Sequence, residues 1–257
     1  MSVLSYLEKR ASDALLDSVE KESIKKSIAT LKARLDANFG DKLKEHFQFG
    51  SSTRGTILPR SMDEHSDIDY MIAFDEDDNV PQTYLDRLKR FAENYYGKSE
   101  IYQSSPTIVL ELNHIKFDLV PAKPDWFGSY KIPNGSGGWM DNNPNDFNTS
   151  LEEKNKGHSN LIKPTIRLAK YWNAVNGYLY DSFSFEKWMV DLWYLSCINQ
   201  KDYLFYVFDK LSGDNEATQW RKDKLTRAKT IVAQVREYER QGLTSKAEQE
   251  VQKLIPE

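Results

Sequence analysis

The chain has 257 residues, enough for one large domain or two small ones with a core of their own. Lys and Arg number 35 against 39 Asp and Glu; the resulting net charge of −4 argues against a protein whose main task is to coat nucleic acid, while leaving room for a basic cleft on an acidic body. Cys197 is the single cysteine, which excludes an internal disulfide and a cysteine-based zinc site and fits a reducing, cytoplasmic setting. No stretch approaches 18 apolar residues, and Met1 to Arg10 lacks the apolar core of a signal peptide, so no membrane partner is expected.

In chain order, apolar residues at Leu4, Leu7, Ala11, Leu15, Ile24, Ile28, Leu31 and Leu35 predict one long first helix, opened by a Ser5–Glu8 capping box and stopped at Gly40. Residues 46–49 (HFQF) and 67–74 (DIDYMIAF) read as strands, followed by a helix over 84–96. Two further strands, 107–112 and 115–120, are joined by an Asn113-His114 turn. Residues 121–156 read as loop, centred on a Gly-rich stretch at 134–138 with no Walker lysine. Helices are expected over 161–173, over 185–197 (apolar on nearly all sides, hence buried) and over 217–238, with a last one after Gly242 opened by Ser245 and Glu248. The expected division is residues 1–155 as a mixed α/β lobe carrying the long first helix, and 156–257 as a helical lobe.

Asp67 and Asp69 flank Ile68 inside an otherwise apolar strand, so both carboxylates project from one face. Asp118 is a third acid, set in a strand whose opposite face is Ile115, Phe117 and Leu119. An acid inside a hydrophobic strand is costly unless it is paired or bound to a cation. Three such acids suit Mg²⁺, a hard ion with oxygen ligands, and a pair of ions about 3.5–4 Å apart can serve both oxygens of a phosphoryl substitution. The alternative for an isolated Asp-x-Asp is an exposed strand edge. Upstream, Gly50 permits a tight turn, and Ser51 and Ser52 offer hydroxyls beside backbone N–H groups able to receive an anion.

The strings FGSSTRGT (49–56), SDIDYMI (66–72) and IKFDLVPA (115–122) resemble the nucleotidyltransferase superfamily typified by DNA polymerase beta. With LIKPTIRLAKYWN (161–173) and DSFSFE (181–186), the chain most resembles the branch of oligoadenylate synthase, cyclic GMP-AMP synthase and the bacterial CD-NTases. The resemblance implies an α+β fold, a polymerase-beta-like lobe of mixed sheet and helices plus a C-terminal helical lobe, with the active site in the cleft between them. It implies that Gly50 and Ser51 hold the donor triphosphate. Asp67, Asp69 and Asp118 would ligate two Mg²⁺ (Mn²⁺ able to substitute), and Asp118 would help remove the proton from the attacking hydroxyl. Lys170 and Ser182 would contact phosphate and Phe183 would stack on the donor base, with Ser184 as a register alternative to Ser182.

Read from the residues alone, Lys163, Arg167 and Lys170 form a helical stripe that reads as a solvated face, and Phe183 could equally be core. Arg54 and Arg60 could neutralise phosphate or pair with Asp63 or Glu64. The acidic run 75–78 reads as a solvated turn, and the histidines show no ligand spacing.

The implied function is a transferase that joins nucleoside triphosphates into a cyclic or linear second messenger for bacterial antiphage signalling. No long nucleic acid is expected as partner, and the identity of any regulatory protein is left open. The alternative is transfer of a nucleotide to a macromolecule, such as a tRNA end or a protein side chain, because the motif fixes the donor chemistry and leaves the acceptor open. A non-catalytic module is the third reading; retention of all three acids weighs against it.

Overall fold

The computed structural model of the chain describes residues 1–75, 80–104, 106–125, 128–144, 146–212 and 218–257. Glu76, Asp77 and Asp78 of the acidic run, and the expected helix start at Ala217, lie outside them. The chain divides into two compact units. Residues 16–60 and 64–149 form a sheet unit; residues 1–15, 61–63 and 150–257 form a helical unit.

The expected long first helix is two, α1 (Val3–Asp13) and α2 (Ser18–Phe39). Apolar spacing continues through the break, but Asp17 takes the N–H of Glu20 at 2.7 Å while the Glu20 carboxylate takes the N–H of Asp17 at 3.2 Å. This reciprocal box starts a new helix, whose side-chain signal apolar periodicity does not register. The expected Ser5–Glu8 box is replaced by a Ser2 cap that accepts from the Ser5 N–H, while Gly40 does end α2.

The sheet unit contains β1 (Leu43–Gln48), the one-turn helix α3 (Ser51–Arg54), β2 (Asp67–Phe74), α4 (Pro81–Tyr96), β3 (Glu100–Ser104), β4 (Thr107–Glu111), β5 (Lys116–Pro124), β6 (Tyr130–Pro133) and β7 (Trp139–Asn142). The strand order is β1-β2-β5-β4-β3, with β6 on the far end of β5 and β7 on β6. Among the described strands, only the central β2–β5 pair is parallel. Alternation along β2 sends Ile68, Tyr70, Ile72 and Phe74 into a core with Leu31 and Leu35 of α2 and Tyr84, Leu88 and Phe91 of α4. The opposite face of the same strands is apolar only at one end, where Met71, Ala73, Val120 and Ala122 meet Ile132. Asp67, Asp69 and Asp118 occupy the other end of that face.

Three strands escape the sequence reading. β3 is mostly exposed and polar, so it lacks the alternation of a half-buried strand. β6 and β7 are short, and the Gly-rich stretch is the turn that joins them, held by the Asn134 side chain accepting from the N–H groups of Ser136 and Gly138.

The helical unit holds α1, most of α5 (Asp146–Gly157), α6 (Ile162–Val175), α7 (Ser182–Asp191), α8 (Gln200–Lys210), α9 (Gln219–Arg240) and α10 (Thr244–Gln252). Helix α1 packs on α6, α8 and α10, and the Tyr6 hydroxyl donates to the Ile255 carbonyl at 2.7 Å. The first helix therefore groups with the C-terminal helices, whereas the sequence reading put it with residues 1–155. The expected buried helix over 185–197 ends at Asp191, and α8 follows separately. Trp193, Leu195 and Ile198 lie in the connecting segment and are 77%, 73% and 83% exposed, contrary to the expected burial. Helix α9 buries Leu225, Ala228, Ile231, Val232 and Val235, the stripe read from the sequence. The expected Ser245–Glu248 box does not form; α10 begins after Leu243 with no side-chain cap.

Candidate active site

The parallel register sets Asp67 opposite Lys116 and Asp69 opposite Asp118. Because side chains two apart share a face, these two rungs present three carboxylates and one ammonium as a square on one side of the sheet. Lys116 Nζ lies 3.3 Å from Oδ2 of Asp67 and 3.9 Å from Oδ1 of Asp118. That Oδ1 is buried and has no hydrogen-bond partner. Burial first, and then the neighbouring Asp67 charge, push the Asp118 carboxyl up to about 6, with Lys116 pulling the other way. Burial works to lower the Lys116 pKa, but the charges of Asp67 and Asp118 outweigh it and hold the ammonium above its ordinary value.

Gly50 explains how the turn meets the acids. It has φ +75°, and a Cβ there would lie 1.8 Å from Oδ2 of Asp69. The turn is tied to β2 by the Phe49 N–H donating to the Asp69 carbonyl at 3.0 Å. The Ser52 hydroxyl is occupied, accepting from Gln48 at 2.7 Å and donating to the Phe49 carbonyl at 3.1 Å. No hydrogen bond engages the Ser51 hydroxyl among the described residues, which distinguishes it from its neighbour.

Among the described residues no group of three or more His, Cys, Asp and Glu side chains is gathered closely enough to hold a metal ion. The donor chemistry of the square nevertheless fits a hard divalent cation: the available ligands are carboxylate oxygens, and one of them is buried without a partner.

The other sequence candidates resolve individually. Arg60 pairs with Glu111 at 2.8 Å and donates to the Glu64 carbonyl, and the Arg54 guanidinium is buried over the Phe147 ring. His46 bonds to Tyr70 and Asp36, His114 to Ser27 and His158 to Tyr203. The Lys163–Arg167–Lys170 stripe is not a solvated face. Arg167 and Lys170 are buried, and Lys163 pairs with Glu152. Burial pushes the Arg167 guanidinium down to about 10. Lys170 Nζ is 2.8 Å from Oε1 of Glu186, whose side chain is 1% exposed. Ser182, Phe183 and Ser184 form the first turn of α7, capped by Asp181, which accepts from the Ser184 N–H at 2.8 Å. Phe183 is 49% exposed and so is not core. The acids and Gly50 belong to the sheet unit; Lys170, Ser182 and Phe183 belong to the helical unit. Sequence reasoning missed Lys116, although its position two residues before Asp118 already placed it on the acid face.

A family model for the Second Messenger Oligonucleotide or Dinucleotide Synthetase domain matches residues 1–155. The chain belongs to this family. Members of this synthetase family are nucleotidyltransferases, and the fold here is of the polymerase-beta-like type with a helical unit. A probable cyclic nucleotide synthase of Bacillus cereus (strain VD146) is 32% identical over 103 residues, 37% of this chain and 31% of that protein. The match thus spans about a third of that relative. Among solved structures, Vibrio cholerae DncV cyclic AMP-GMP synthase, in complex with a linear intermediate, has a TM-score of 0.78 at 9% identity, covering 99% of this chain and 95% of that one. E. coli MS115-1 CdnC with ATP has a TM-score of 0.73 at 15% identity, covering 100% and 98%. The Bradyrhizobium diazoefficiens CD-NTase CdnG with GTP has 0.72 at 10% identity, covering 97% of each chain.

Proposed function

We propose that this synthetase-family member joins nucleoside triphosphates into a cyclic or linear oligonucleotide second messenger, releasing pyrophosphate, with Mg²⁺ as cofactor and bacterial antiphage signalling as its setting. The observation that carries the reading is the two-rung acid square of β2 and β5 beside the Gly50 turn, in a chain of this family. Asp67, Asp69 and Asp118 are the residues that would hold the ions. Bound there, Mg²⁺ would supply charge neutralisation for the triphosphate and for the oxygen that attacks its α-phosphate.

The chain's own residues do the rest. Gly50 lets the backbone reach the acids without a side chain in the way, and the Ser51 hydroxyl is available to a phosphate oxygen. Asp118, which reaches the acid face from β5 with a buried and unpartnered Oδ1, is proposed to help take the proton from a ribose hydroxyl. In the helical unit, Ser182 and Phe183 are proposed nucleotide contacts, the half-exposed ring offering a stacking face. Lys170 is kept as a proposed phosphate contact through the family resemblance, against a buried ion pair that already accounts for its position. The nucleotides carried by E. coli CdnC and B. diazoefficiens CdnG support ATP and GTP as substrates to try first. A regulatory protein partner is proposed by likeness to the CdnC:HORMA-deltaN complex.

The test is incubation with each labelled NTP, singly and mixed, with Mg²⁺ or Mn²⁺, followed by phosphatase treatment and mass spectrometry. A phosphatase-resistant cyclic product, or a linear oligonucleotide trimmed only at its terminal phosphates, is expected. Label found on RNA or protein, with no free oligonucleotide, would instead establish the macromolecular-acceptor alternative.

A further inference from the structure

Lys116 stands directly across from Asp67 on the neighbouring strand and shares its face with Asp118. Its ammonium is 3.3 Å from one carboxylate and 3.9 Å from the other, and its side chain is 16% exposed. This is not a solvated surface pair. It is a cation set among the acids of one sheet face. We propose that Lys116 is a resident counter-ion of the acid square, one that competes with the divalent cation for Asp67 and Asp118 and so sets how much metal is needed to load the site. The inference rests on the reading of those acids as metal ligands.

An ammonium has three N–H donors and no lone pair, so it cannot join the ligands of a metal ion. A carboxylate oxygen committed to Lys116 must be released before it can approach an ion at the roughly 2.0–2.1 Å that Mg²⁺ demands. A cation held within a few ångströms of an incoming divalent ion also repels it. The four-carbon flexible stem of lysine lets the ammonium swing away once the ion arrives, which the stiffer guanidinium fork would do less readily.

The experiment measures Mn²⁺ binding to the full chain without nucleotide, by the electron paramagnetic resonance signal of the free ion. Wild type is compared with Lys116→Met, Lys116→Gln, Lys116→Arg and Asp67→Asn. Lys116→Met and Lys116→Gln should bind Mn²⁺ about tenfold more tightly, as expected for releasing a charge-assisted contact. Lys116→Arg should bind no more tightly than wild type. The two neutral variants should also melt at a lower temperature in chelator, where Asp67 and Asp118 lose the ammonium that faces them. Equal or weaker Mn²⁺ binding by whichever neutral variant folds would overturn the inference while leaving the metal site standing, provided Asp67→Asn loses binding. If Asp67→Asn binds Mn²⁺ like wild type, the acid square is not the metal site and both readings fall.

Discussion

A Cβ on Gly50 would sit 1.8 Å from the carboxylate oxygen Oδ2 of Asp69, so the backbone of the turn and the acid of the strand occupy adjoining space with no room for a methyl group. The positive φ of Gly50 adds a second reason for glycine there. Gly50→Ala should therefore act on both fold and site. Displacing Asp69 or opening the turn should cost about 1–3 kcal/mol of stability and at least about a hundredfold in kcat. Denaturant melts and turnover assays on the purified variant check this; near wild-type values in both would mean that the turn and Asp69 move freely of each other.

Asp67→Asn and Asp69→Asn should each abolish nucleotide transfer while leaving the fold intact, because both side chains lie on the partly exposed end of the acid face, away from the apolar core. Circular dichroism and a pyrophosphate-release assay with Mg²⁺ report the two halves of the expectation. Wild-type activity in either variant would remove that residue from the proposed site.

Asp118 should make the metal-free protein less stable than it could be. Its carboxyl rises from 3.8 to about 6 on folding, so the folded protein holds that proton more tightly than the unfolded chain. Between about pH 4 and 6 its contribution to stability thus falls as pH rises, and above pH 6 the full penalty, on the order of 2–3 kcal/mol, is in force. In chelator at pH 7.5, Asp118→Asn should raise Tm by several degrees, and the gain should vanish near pH 4. An inactive variant that is more stable at neutral pH would be the signature of an acid kept for chemistry.

The buried Lys170–Glu186 pair makes a different prediction. Lys170→Met takes the ammonium away from Glu186, whose side chain is 1% exposed, and breaking a buried pair in this way typically costs about 3–5 kcal/mol. Adding Glu186→Gln should recover most of that loss. If the KM for NTP returns with the melting temperature, Lys170 acts through structure alone; if KM stays high in the restored double variant, Lys170 also contacts the substrate.

Phe183→Ala should separate binding from stability in the opposite sense. The ring is 49% exposed at the first turn of α7, so its loss should move Tm little. Loss of a base-stacking contact is worth about 1–3 kcal/mol, which should raise the KM for the donor nucleotide about 5-fold or more. An unchanged KM would exclude the stacking role.

Alternation and spacing carried much of this protein in the chain itself. The strand at 67–74 is seen with the expected bounds, the hairpin around Asn113-His114 forms, and the α9 stripe is buried as its periodicity requires. Alternation also put Asp67 with Asp69, since a strand obliges residues two apart to share a face. The break between α1 and α2 was written in Asp17 and Glu20, but as a side-chain cap that apolar periodicity does not register.

Tertiary structure alone decided which residues meet across strands. The parallel register of β2 and β5 brings Lys116 to Asp67 and Asp118 to Asp69, and no local pattern specifies a register between segments about fifty residues apart. Likewise, a lysine, an arginine and another lysine at helical spacing look the same whether solvated or buried. Burial depends on what the rest of the chain lays against them, and here Glu186, sixteen residues on, supplies the charge that lets Lys170 stay inside.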